Sequence, residues 1–206
     1  MSAADLPRKA PSYGPAFVRG YDWSGFYVGL NGGYGWGTST WSNAALTDSF
    51  AVKGGLVGGT LGYNFQSGSW IFGVEGDVDA TWIKGSDNIA GGICGGVGCQ
   101  TSNTWLGTAR GRIGSTLGRL MPYLTGGAAV GNIKMTPATG GSATKTKLGW
   151  TVGSGFEYAF QEGWSGKIEY LYVDLGKATC DAAVCGVDTD VKFKTSIVRL
   201  GVNYRF

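Results

Sequence analysis

In segment after segment of this chain, every second residue is apolar or glycine while the ionisable residues keep to the other parity. Phe26, Val28, Leu30, Gly32, Tyr34 and Trp36 share one face of an extended run, with Gly29, Asn31, Gly33 and Gly35 on the other. A period of two marks a β-strand whose faces meet unlike surroundings. It returns in Val57, Gly59, Leu61, Tyr63 and Phe65, and in Trp70, Phe72, Val74, Gly76, Val78, Ala80 and Trp82. A fourth run aligns Trp105, Gly107, Ala109, Gly111 and Ile113. A sixth aligns Leu148, Trp150, Val152, Phe156 and Phe160, and a seventh Trp164, Ile168, Tyr170 and Tyr172. The last aligns Val198, Leu200, Val202, Tyr204 and Phe206. A fifth strand near 121–133 is too rich in Gly and Ala for its faces to be assigned, so eight strands are expected.

The charges say which way the faces point. Glu75, Asp77, Asp79, Arg110, Arg112, Glu157, Lys167, Glu169, Arg199 and Arg205 all oppose the aromatic and aliphatic face. A charge turned to lipid near mid-membrane costs about 2–4 kcal/mol, so this parity fits a barrel with lipid outside. A soluble barrel would reverse the arrangement. Trp23, Trp70, Trp164 and Phe206 fall near one end of the strands and Trp36, Trp82, Trp105 and Trp150 near the other, as two interfacial girdles require. Lys84, Asp174, Lys192 and Lys194 share the lipid-side parity but sit at strand ends, as rim residues. An eight-stranded barrel has room only for its own side chains. The inward charges should therefore pair in a continuous polar plug, because buried charges persist only when paired and hydrogen-bonded.

The connections alternate in length. Gln66 to Ser69, Thr116 to Arg119 and Gln161 to Gly163 read as tight turns, while the links near 37–53, 84–102, 134–146 and 177–191 are long. The expected fold is all-β: an eight-stranded antiparallel up-and-down transmembrane barrel with short periplasmic turns and four long extracellular loops. No run approaches the roughly 18–20 apolar residues of a membrane helix, which has no bearing on a barrel. Residues 1–22 hold three of the five prolines and no periodicity, so they read as a flexible periplasmic tail before a barrel over 23–206. Ser2-Ala3-Ala4 resembles the small-residue remnant of a cleavage site, the expectation being a mature chain with an initiator Met.

Thirty-nine glycines would weaken helices, whereas small barrels use Gly where backbones crowd. A net charge of +3 without a basic stripe argues against nucleic acid. The chain has no His, so Ser-His-Asp chemistry and His-ligated metals are excluded; neither an enzyme nor a cofactor is expected. Glu75, Asp77 and Asp79 allow a cation site, but alternate carboxylates opposite Arg110 and Arg112 read first as ion pairs. The glycine runs 33–37 and 95–98 resemble phosphate-cradling loops without the strand-to-helix context such loops need. Loop aromatics Trp41 and Phe50 are candidate ligand contacts, though exposed loop aromatics are common. Cys94 with Cys99, and Cys180 with Cys185, form two local pairs suited to disulfides in an oxidising compartment. A four-thiolate zinc site is the alternative, with spacing looser than the usual knuckle.

Trp23-Ser24-Gly25-Phe26-Tyr27-Val28-Gly29, Gly149-Trp150-Thr151-Val152-Gly153 and the ending Val198-Arg199-Leu200-Gly201-Val202-Asn203-Tyr204-Arg205-Phe206 resemble the Omp25/Omp31-type outer-membrane immunogenic proteins of alphaproteobacteria. That resemblance covers the chain beyond the tail; the four Cys depart from it. It implies an abundant surface barrel of the cell outer membrane that supports envelope integrity, some relatives being described as porins or haemin binders. Tyr204 and Phe206 are similar to the signal read by the barrel-assembly machinery. The resemblance also implies that Ala4, heading Ala4-Asp5, carries an amine for covalent linkage to peptidoglycan; a short disordered leader is the plainer reading. Outer-membrane lipid and lipopolysaccharide are the other expected partners. A narrow diffusion channel and a loop-borne adhesin or ligand surface remain the alternative functions.

Overall fold

The computed structural model of the 206-residue chain describes residues 21–43, 46–87, 98–136, 142–180 and 189–206. Eight strands follow in order: β1 (Gly25–Ser42), β2 (Thr47–Ser67), β3 (Trp70–Asp87), β4 (Cys99–Ser115), β5 (Leu120–Thr136), β6 (Ala143–Gln161), β7 (Trp164–Cys180) and β8 (Thr189–Arg205). Each pairs antiparallel with its neighbour, and β1 against β8 closes the cylinder, Leu30 lying opposite Val202 and Tyr34 opposite Val198. Closure leaves no free sheet edge, which a membrane-spanning sheet requires because hydrocarbon offers its backbone no partners. The tight turns each place a glycine at positive φ, namely Gly68 (+61°), Gly118 (+70°) and Gly163 (+78°), a conformation costly for any other residue.

The exterior carries the expected apolar faces. Phe26, Leu30, Val57, Leu61, Val74, Val78, Leu148 and Leu200 are exposed, and Trp36, Trp82, Trp105 and Trp150 ring the loop end. The β5 faces, unassigned from sequence, are settled: Met121, Tyr123, Thr125, Ala129 and Ile133 point inward, Leu124 and Ala128 outward.

The strands run further than the sequence reading placed them. β1 reaches Ser42 and β2 begins at Thr47, so the first link, expected over 37–53, shortens to 43–46. The links expected over 84–102, 134–146 and 177–191 likewise lose residues at both ends to β3 through β8. Here the period of two persists but its sense inverts: Trp41, Phe50, Val52 and Leu56 are buried, while Thr38, Ser49 and Lys53 are exposed. β2, 21 residues long, extends about 70 Å at 3.3 Å per residue. Even tilted by about 40° that is roughly twice the height of a barrel's ~25 Å apolar band. The loop-side wall therefore stands in water.

Candidate functional site: the filled interior

The middle of the barrel is occupied by charges set on five strands. Glu75, Asp77 and Asp79 come from β3, Arg110 and Arg112 from β4, Glu157 from β6, Lys167 and Glu169 from β7, and Arg199 from β8; all are buried. Glu75 is the hub. It pairs with Arg110, with Arg112 Nη1 at 3.4 Å and with Lys167 Nζ at 2.9 Å. Arg110 also donates to Asp77 Oδ2 (2.8 Å) and Glu169 Oε1 (3.0 Å). Arg199 clamps the far side, donating through Nε to Glu169 (2.7 Å) and through Nη1 to Asp77 Oδ1 (2.9 Å) and Asp79 Oδ2 (3.2 Å). Arg112 Nη2 donates to Glu157 Oε2 at 2.7 Å.

Neutral side chains complete the network. The Tyr27 hydroxyl donates to Glu75 Oε2 (2.8 Å) and accepts from Arg112 Nη1 (3.0 Å), and the Tyr123 hydroxyl donates to Glu169 Oε1 (3.0 Å). The Arg112 guanidinium lies 5.3 Å from the Tyr27 ring centre and 4.7 Å from that of Tyr123, within cation–π range of both. Thr108 donates to Asp77, and Ser165 and Asn203 both donate to Glu157. Five carboxylates thus meet four cations, and the only carboxylate oxygen of this group without a hydrogen-bond partner is Asp79 Oδ1. Space for these side chains comes partly from Gly62, where a Cβ would lie 2.3 Å from the Tyr27 hydroxyl.

Sequence parity located the charges but not their neutral partners. Tyr27 and Asn203 share the inward parity of Asn31 and Arg199 and were findable by that signal. Tyr123 was hidden by the unassigned faces of β5. Arg205 requires a correction: it does not join the plug. It lies at the turn-end mouth, where Nη1 donates to the Asp22 backbone carbonyl and the guanidinium covers the Tyr21 ring at 4.6 Å. The strand ends at that level, so an inward-parity side chain there meets the incoming chain and not the network. Beside it the Ser24 amide donates to Asp22 Oδ1 (2.9 Å) and holds that carboxyl below its usual value, with Arg205 acting in the same direction.

Apolar layers close the interior above and below the charges. At the turn end Trp23, Ile71, Met121, Tyr123 and Ala159 pack together. Trp23 is therefore not part of an external girdle. It precedes β1, is free of strand parity, and folds across the opening with its amide donating to Gln66 Oε1 at 2.8 Å. At the loop end a larger cluster gathers Trp41, Phe50, Ile83, Ile133, Phe193 and Ile197, among others. Trp41, 1% exposed, and Phe50 are thus interior packing residues and not exposed loop contacts; the Trp41 indole N–H donates to Thr101 Oγ1 at 3.0 Å.

Cys99 and Cys180 are disulfide-bonded cysteines buried in that cluster; Cys94 and Cys185 lie outside the described residues, as does Ala4. Tyr204 and Phe206 sit on the outer face of the closing strand with their rings 5.3 Å apart, and the Phe206 amide donates to Phe26 O at 3.0 Å.

The family model for the outer membrane protein β-barrel domain matches residues 4–206. The chain is 38% identical to the 31 kDa outer-membrane immunogenic protein of Brucella melitensis, over 99% of this chain and 92% of that protein. It is 33% identical to the 25 kDa outer-membrane immunogenic protein of Brucella abortus, over 90% of this chain and 80% of that one. Among solved structures, Neisserial surface protein A superposes with a TM-score of 0.53 at 18% identity, covering 89% of this chain and 98% of that one, a likeness of fold alone.

Proposed function

Because the chain belongs to the outer-membrane β-barrel family and so lies in the outer membrane, we propose that it is a closed structural barrel supporting envelope integrity. The observation that supports this is the interior: among the described residues, a buried, paired ionic layer lies between a turn-end and a loop-end apolar cluster. Water or ions crossing it would have to part the Ile83, Ile133 and Phe193 packing and then break the Glu75 and Arg199 pairs. Purified protein in a planar bilayer is expected to give no stable openings. Openings whose conductance changes in Arg110→Gln would overturn the reading in favour of a narrow porin.

The tail is read as a tether, with the amine of Ala4, freed by hydrolysis of the Ala3–Ala4 peptide bond, joined to peptidoglycan. Support comes from the Ala4-Asp5 dipeptide and the proline-spaced stretch that follows. Muramidase digestion of sacculi followed by mass spectrometry is expected to release an Ala4-linked muropeptide; free amino termini throughout would defeat it. The outward Tyr204 and Phe206 pair supports recognition of the closing strand by the barrel-assembly machinery. The loop-borne ligand or haemin reading loses its two aromatic candidates, since Trp41 and Phe50 face the core.

A further inference from the structure

The outer face of the loop-side wall carries lysines of two kinds. On β7 and β8 two of them are answered by acids, Lys194 Nζ lying 3.5 Å from Asp174 and Lys177 Nζ 3.9 Å from Asp190, and Lys192 stands opposite the already paired Lys177. On β2 and β3, Lys53 and Lys84 are exposed and stand directly opposite each other in the ladder. Neither has an ion-pair partner among the described residues, and no acidic side chain described on the outer face of β1 to β5 lies near them. Directly opposed like charges, with Cβ atoms about 5 Å apart, are destabilising. No ion pair among the described residues offsets that repulsion, whereas a single anion between the two ammonium groups would.

The level of the pair identifies the anion. Trp36 stands across from Lys53 in the register, and Trp82 precedes Lys84 by two positions on the same face. Both indoles are exposed and belong to the loop-end ring that marks the membrane–water boundary. Just below, Gly55 lies opposite Tyr34, and a Cβ there would meet only one atom, at 3.8 Å, so the surface is hollowed between Tyr34 and Trp82. Two cations at headgroup depth over an aromatic-walled hollow match an amphiphile with its phosphate on the lysines and its sugar or acyl portion against the rings.

We propose that Lys53 and Lys84 form a clamp for the phosphate of a phosphorylated glycolipid of the outer leaflet. The proposal goes beyond the closed-barrel reading and stands even if the barrel conducts. Lysine at a charged membrane surface contributes about a fivefold gain in binding per residue at low salt. Native mass spectrometry of the detergent-solubilised barrel titrated with bis-phosphorylated lipid A is expected to show retained adducts. These should weaken about 25-fold in Lys53→Gln/Lys84→Gln, recover in Lys53→Arg/Lys84→Arg, and stay unchanged in Lys192→Gln, with heat-modifiable migration confirming that each variant is folded. Equal retention by the double Gln variant, equal binding of dephosphorylated lipid A, or full displacement by equimolar inorganic phosphate would each overturn it.

Discussion

The barrel is two cylinders built on one continuous set of strands, and they are packed in opposite senses. In the central segment Val74, Val78, Leu200 and Phe156 face out while Glu75, Asp77, Glu169 and Arg199 fill the inside. In the loop-side segment Lys53, Lys84 and Ser49 face out while Trp41, Phe50, Ile133 and Phe193 fill the inside. The ladder of β1 and β2 runs unbroken through both, from Gly25 opposite Asn64 to Ser42 opposite Thr47, while β3–β4, β4–β5 and β7–β8 shift register between them, at Ala80/Ile83, Ser102/Leu106 and Asp174/Lys177. What changes is the medium outside. Against hydrocarbon, the apolar parity gains by facing out, and the polar parity must satisfy itself within. Against water, the hydrophobic effect returns the apolar parity to the core. Alternation therefore specifies the strand, and the medium specifies which face is filled.

The largest test of the contrast is to break the ionic layer at its hub. Glu75→Gln leaves Arg110, Arg112 and Lys167 short of one shared carboxylate. It is expected to cost about 3–5 kcal/mol, as loss of one member of a buried charge cluster does. Urea titration of folding into lipid vesicles, read by heat-modifiable electrophoresis, measures it; a loss below 1 kcal/mol would mean that the central layer is hydrated and not a closed network.

The apolar layer should respond to volume and not to charge. Phe193→Ala is expected to cost about 3 kcal/mol through lost burial and a cavity. The same titration should show this loss unaltered by salt, and salt sensitivity would argue that the loop-side interior is wet.

The smallest effect should come from Asp79→Asn. Asp79 makes a single ion pair, to Arg199, which keeps Glu169 and Asp77 as partners, and its other oxygen is unpaired. Loss within about 1 kcal/mol is expected, since removing a surplus buried charge offsets the lost contact. A penalty matching that of Glu75→Gln would show that the carboxylates act as equals and that the hub assignment is mistaken.

Much of this was legible from spacing. The strand number, the tight turns and the inward parity of Glu75, Arg110, Glu157, Lys167 and Arg199 follow from a period of two and the cost of a charge in lipid. The misplaced strand ends and loop aromatics share one cause. Residues 37–53 lose the apolar-out pattern because the polarity of the faces inverts, so a strand leaving the membrane reads as a loop, and Trp41 and Phe50 read as surface aromatics. Trp23 and Arg205 went astray for a different reason: at the barrel mouth parity no longer says what a side chain meets, and the incoming chain decides.

By itself the sequence determined that these strands are two-faced, that they close antiparallel, and that charges must share an interior, since alternation and the energetics of lipid are local properties of each strand. Only the tertiary structure decided which charges meet, with Glu75 receiving cations from three other strands and Arg199 reaching Asp77 across the lumen. It also decided that apolar layers close both ends. Those outcomes depend on stagger and curvature, which bring together residues more than a hundred positions apart, and no local pattern carries that information.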